Sequence, residues 1–163
     1  MRRASVLVTL TLTLGSCHSY QQFLADTYGN VTFHTTDLGI PVAPNGFPVD
    51  PLEFENLTLA IFDQWQGALD AEGYVCDVYQ EPWWSAYVSF QPYPFTWDGV
   101  GHDGRLLAGL MVPIHFAIVV GYLEPLMNTA LGHEYGHAIL FTCGMPYQEN
   151  ALKWWAERYG LPY

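Results

Sequence analysis

Positive charge is scarce in this chain. Lysine and arginine together number 5 against 16 aspartates and glutamates, a formal net charge of −11 over 163 residues. A nucleic-acid partner needs a basic face that displaces counterions from phosphates. Five cations cannot readily build one, so no nucleic acid is expected. Charged residues of either sign make up only 13%, while aromatics reach 16%, the reverse of the balance that keeps a chain disordered. Long hydrophobic runs are missing as well. Ala4 to Leu14 covers 11 residues, and Met111 to Tyr122 covers 12 and is broken by Pro113 and His115. A bilayer-spanning helix needs about 20. The length fits a single domain with one buried core.

What is present at the start reads as an address. Met1-Arg2-Arg3 is a positive n-region, and Ala4 to Leu14 suits a secretory h-region. Leu14-Gly15-Ser16-Cys17 follows and resembles a bacterial lipobox. The resemblance implies that residues 1–16 are a lipoprotein signal peptide and that Cys17 is lipidated and anchors the exported protein to the cell envelope. His18 is not an acid that would favour inner-membrane retention, so the outer membrane is favoured where one exists. Lipid would also explain how so acidic a protein stays at an anionic surface. Residues 17–26 then form a polar tether. With Cys17 committed to lipid, Cys76 and Cys143 remain, either as a disulfide of an oxidising compartment or as two separate buried thiols.

Along the mature chain, Val31 to Thr35 alternates as a strand does, and Gly39 to Pro51, with four prolines and two glycines, reads as an irregular connection. Asp50-Pro51-Leu52-Glu53 is a helix-start signature. The helix is expected to run towards Leu69, with Leu57, Ile61, Trp65 and Leu69 on one face, and to stop near Gly73. Trp83 to Phe90 and Pro113 to Val120 read as strands, and Gln91 to Gly104 as a long loop. Helices are expected over Leu123 to Thr142 and Gln148 to Tyr159, the second folding back antiparallel after Gly144 and Pro146.

The first of these two helices contains His133-Glu134-Tyr135-Gly136-His137. Histidines four apart project from one helix face and can bind one Zn²⁺, with Glu134 beside the metal's open position. Gly132 and Gly136 each cost about 1 kcal/mol of helix propensity relative to alanine, so close approach of another segment or of a metal is expected there. The HExxH pattern resembles the zincin metallopeptidases. The element order helix, strand, strand, HExxH helix fits their outline.

This resemblance implies an α+β zincin-like single domain over residues 27–163, with a small mixed sheet packed on an active-site helix and a following ligand helix. It implies zinc-dependent hydrolysis of a peptide or protein substrate with Glu134 as general base, and an extended substrate pairing with the edge of Pro113 to Val120.

No histidine follows His137, and Ala138 to Gly144 departs from the metzincin extension. The third ligand is then an acid, as in the gluzincin-like enzymes, and only Glu149 and Glu157 lie downstream. Reflection about the turn sets His137 opposite Leu152 and His133 opposite Ala156, so both acids are within reach. Glu149 better matches the family arrangement, while Glu157 stands at i, i+4 spacing from Lys153. Tyr135, Tyr147 and Tyr159 are candidates for stabilising an oxyanion. His115 and His34 read as hydrogen-bonded core residues, and Asp98, His102 and Asp103 match no calcium loop. One tryptophan of each pair, Trp83-Trp84 and Trp154-Trp155, could line a cleft. Competing readings are a zinc-binding protein without hydrolytic activity and a metal-free structural envelope lipoprotein.

Overall fold

A computed structural model describes residues 20–80, 83–96 and 104–163. The signal segment 1–16, Cys17 and the loop residues Asp98, His102 and Asp103 lie outside the described residues.

The architecture is α+β. A five-stranded mixed sheet has the order β1-β2-β3-β7-β6, with β1 Phe33–His34, β2 Pro41–Ala43, β3 Tyr87–Pro92, β6 Gly109–Val112 and β7 Ala117–Tyr122. The β2/β3 and β3/β7 pairs are parallel, and β1/β2 and β6/β7 are antiparallel. A separate ribbon joins β4 Phe95–Thr96 to β5 Leu106–Leu107. The helices are α1 over residues 20–28, α2 Pro51–Ala71, α3 Glu124–Thr142 and α4 Glu149–Tyr159. No helix among the described residues is long and apolar enough to cross a membrane.

The period of two along the central strands sorts the core into two layers. Val88, Phe90, Ile118 and Val120 pack with Ile61, Phe62, Leu131 and Tyr135 of α2 and α3. Their neighbours Tyr87, Ala117 and Val119 pack on the opposite face with Leu24 and Tyr28 of α1. Residues 20–26, expected to be a tether, are therefore helical and structural. Leu24 and Tyr28 are one helical turn apart, and burying such side chains contributes about 1.5–3 kcal/mol each.

The α2 helix begins where its signature places it, the Asp50 side chain accepting the Glu53 N–H at 2.9 Å. It buries Ile61, Trp65 and Leu69 on the expected face.

The expected strand Pro113 to Val120 is instead a turn followed by a strand. Residues 113–116 reverse the chain between β6 and β7, with His115 N–H donating to Val112 O and Phe116 N–H to Pro113 O, both at 3.2 Å. Proline has no N–H for a ladder and presets φ for the second position of such a turn. Phe116 takes φ +48, and Ile114 is exposed. His115 thus sits on the turn, its Nδ1 2.6 Å from Tyr28 Oη, and His34 is exposed on β1.

Smaller differences follow from strand length. Gly39 to Pro51 contains β2, three residues held by ladders on both sides. The Trp83 end of the next expected strand is a 3-10 turn, and β3 starts only at Tyr87. Trp83 and Trp155 are buried and Trp154 is exposed.

Cys76 and Cys143 form a disulfide, their Cα atoms 5.8 Å apart. It ties the segment after α2 to the end of α3.

Candidate metal centre

The α3 helix is packed on several sides, with Leu131, Tyr135, Ala138, Ile139 and Leu140 all buried. His133 and His137 are half-buried on its remaining side. Its end is a Schellman turn: Gly144 takes φ +68, Met145 N–H donates to Leu140 O at 2.8 Å, and Gly144 N–H donates to Phe141 O at 3.1 Å. This reversal lays α4 back along α3. Glycine at 136 permits the approach, since a Cβ there would stand 2.5 Å from Leu152 Cδ1 and 2.6 Å from Trp65 Cζ2. Close approach of another segment, expected from the sequence, is therefore what both glycines serve, with Pro162 against Gly132.

The turn delivers Glu149, in the first turn of α4, to the two histidines. His133 Nε2 and His137 Nε2 are 3.1 Å apart. Glu149 Oε2 lies 3.5 Å from the first and 3.4 Å from the second. Ligand atoms about 2.05 Å from a tetrahedral centre stand about 3.3 Å apart, so the near-equilateral triangle suits one small cation. These three residues could hold a metal ion. Glu157 is not brought to them; it is exposed and pairs with Lys153 at 3.8 Å.

Protonation agrees with that use. His137 Nδ1 contacts the Tyr147 carbonyl. A carbonyl only accepts, so the ring proton sits on Nδ1, leaving the Nε2 lone pair turned towards His133 and Glu149. Burial and then the neighbouring His137 hold the His133 imidazole below its ordinary pKa, against the pull of Glu149. Burial raises the Glu149 carboxyl, but the Tyr163 hydroxyl and the two histidines outweigh it and leave a net lowering. Two imidazole nitrogens and a carboxylate oxygen form a donor set that suits a divalent metal.

Glu134 occupies a different position, with its carboxylate Oε1 4.0 Å from His133 Nε2. It is buried between α3 and the edge strand β6. Gly109 permits this, because a Cβ there would meet Glu134 Oε1 at 2.6 Å. Burial, and secondarily the Glu149 charge, push its pKa up to about 8, while a main-chain hydrogen bond from Met111 opposes the rise. Two cavities open on either side of this residue, both bounded by His133, Glu134 and Gly109. One, of about 430 Å³, reaches Met111, Pro113 and Tyr147. The other, of about 320 Å³, reaches Thr129, Ala130 and Tyr163.

Of the tyrosines named from sequence, Tyr147 borders the centre. Tyr135 is fully buried, with its hydroxyl 3.3 Å from Thr58 Oγ1, and Tyr159 hydrogen-bonds Glu72. Both hydroxyls are thus engaged away from the histidines. Gly109, Met111 and Tyr163 were not legible as site residues, since each reaches the centre through tertiary packing. The unpaired edge also differs from expectation. β7 is hydrogen-bonded on both sides, by β3 and β6, so among the described residues the open edge beside the histidines belongs to Gly109–Val112.

No family model, curated protein or solved structure matches the chain.

Proposed function

We propose that the protein is a zinc-dependent peptidase, exported and lipid-anchored through Cys17. The observation that carries this reading is the triangle of His133 Nε2, His137 Nε2 and Glu149 Oε2 with sides of 3.1–3.5 Å and a second, non-ligand carboxylate, Glu134, alongside. Two nitrogens and one carboxylate oxygen are the protein ligands of one class of hydrolytic zinc site, in which the fourth position stays open. When bound, zinc supplies Lewis acidity, making water a nucleophile near neutral pH and offsetting charge on the scissile carbonyl oxygen.

The residues of the chain do the rest. In its ionised form, which a nearby divalent cation would favour, Glu134 takes the proton of the attacking water and returns it to the leaving nitrogen. Its burial removes competing solvent, and the Met111 main chain holds its carboxyl group in place. The free edge of β6 offers main-chain groups to an extended peptide, which would cross from one cavity to the other past Glu134. The Cys76–Cys143 disulfide accords with an oxidising compartment outside the cytoplasm.

Purified protein, loaded with zinc and incubated with a mixed-sequence peptide library, should release new amino termini detectable by mass spectrometry. Glu134→Gln should keep its zinc and lose activity by about 10²–10⁴-fold. Full activity in that variant would refute the base. Stoichiometric zinc with no cleavage of any peptide would leave a metal-binding protein without hydrolytic function. Labelled palmitate incorporated by the wild type and not by Cys17→Ser tests the anchor.

A further inference from the structure

The chain beyond α4 doubles back over the ligand helix. Gly160 ends α4 in a left-handed conformation, φ +66, and Leu161 is buried in the main core. Pro162 lies so close to α3 that a Cβ on Gly132 would stand 2.3 Å from its own Cβ. These two contacts set Tyr163 against His133, ring centroids 5.2 Å apart. There its hydroxyl donates to Glu149 Oε1 at 2.7 Å.

The two oxygens of Glu149 thus have separate roles. Oε1 accepts from Tyr163, and Oε2 alone faces the imidazoles at 3.5 and 3.4 Å. Without that bond an exposed glutamate, 59% accessible here, is free to sample many rotamers, and a cation would have to order it on binding. A hydrogen bond to the non-ligating oxygen orders it beforehand and fixes single-oxygen ligation, as outer partners of metal ligands do.

We infer that Tyr163 is a positioning residue for the metal centre, holding Glu149 so that one carboxylate oxygen completes the ligand triangle. The inference rests on the zinc reading of that centre. Its consequence is specific: the effect of the hydroxyl on metal affinity passes through Glu149 and through no other group.

The test is a double-mutant cycle read by zinc affinity, using competition with a chromophoric chelator on the purified protein. Tyr163→Phe should weaken zinc binding by about tenfold or more and leave the melting temperature of the chelator-treated protein unchanged. Glu149→Ala should weaken it further. Adding Tyr163→Phe to Glu149→Ala should change nothing more. Wild-type affinity in Tyr163→Phe, or an equal loss from it in both backgrounds, would overturn the positioning role while leaving the zinc site standing. A wild-type protein that binds no zinc at all would overturn both.

Discussion

Two glutamates within sixteen residues of each other are given opposite tasks by their surroundings. Glu149 is ionised among imidazoles and a tyrosine hydroxyl, whereas Glu134 is buried with its pKa pushed up to about 8. Between its ordinary value of 4.5 and about 8, Glu134 keeps a proton in the folded, metal-free chain that the unfolded chain has lost. Stability of the chelator-treated protein should therefore fall as pH rises through that window. Glu134→Gln, which cannot ionise, should flatten the decline in denaturant midpoints measured from pH 5 to pH 8; an equally steep decline in the variant would place its origin elsewhere. The ligand assignment is testable at the same scale. Glu149→Ala should reduce zinc occupancy by at least tenfold, and Glu157→Ala, which removes only an exposed pair with Lys153, should leave it unchanged. Elemental analysis after dialysis distinguishes them, and the reverse result would exchange their roles. The histidine pair and Glu134 were legible because one helix relates them by fixed geometry. Tyr163 was not, because nothing local specifies where residues 160–163 return.

Elements were read well where one period ran unbroken and poorly where two short elements adjoined. The α2 helix carries a capping signature and a repeating apolar face, and it forms as expected. Pro113 to Val120 looks like one strand because a turn of residues 113–116 is itself rich in apolar side chains. The strand proper starts only at Ala117. Residues 17–26 read as a tether because polar side chains prevail there, and the docking of Leu24, with Tyr28 just beyond, on the sheet is set by tertiary packing. The α3–α4 pairing depends on Gly136. Alanine there would gain about 1 kcal/mol of helix propensity but would force a methyl group onto the Trp65 ring and Leu152, a cost of about 1–3 kcal/mol. Gly136→Ala should lower the melting temperature and, by displacing α4, weaken zinc binding as well. A stabilised variant with unchanged affinity would show that the two helices have room to separate.

At the scale of the whole molecule, the sheet carries α1 on one face and α2 and α3 on the other. The disulfide ties the segment after α2 to the end of α3. It spans a sequence separation of 67 residues, for which chain-entropy reasoning gives about 4 kcal/mol. Cys76→Ser with Cys143→Ser should lose about that much unfolding free energy in denaturant titrations, and the wild type in reductant should match it. Identical midpoints with and without the bond would remove it from the stability of the fold. The sequence by itself determined the acidic balance, the starts of α2, α3 and α4 and the pair of histidines with Glu134, because each is written in composition or in spacing along one element, while the α+β class came from the resemblance that the HExxH pattern and the element order carry. Only the tertiary structure decided which acid meets the histidines, which strand leaves its edge free beside them, whether the two cysteines join, and what steadies Glu149. Those depend on how separate elements approach one another, and that is set by packing across the core and by the close contacts that Gly109, Gly132 and Gly136 allow.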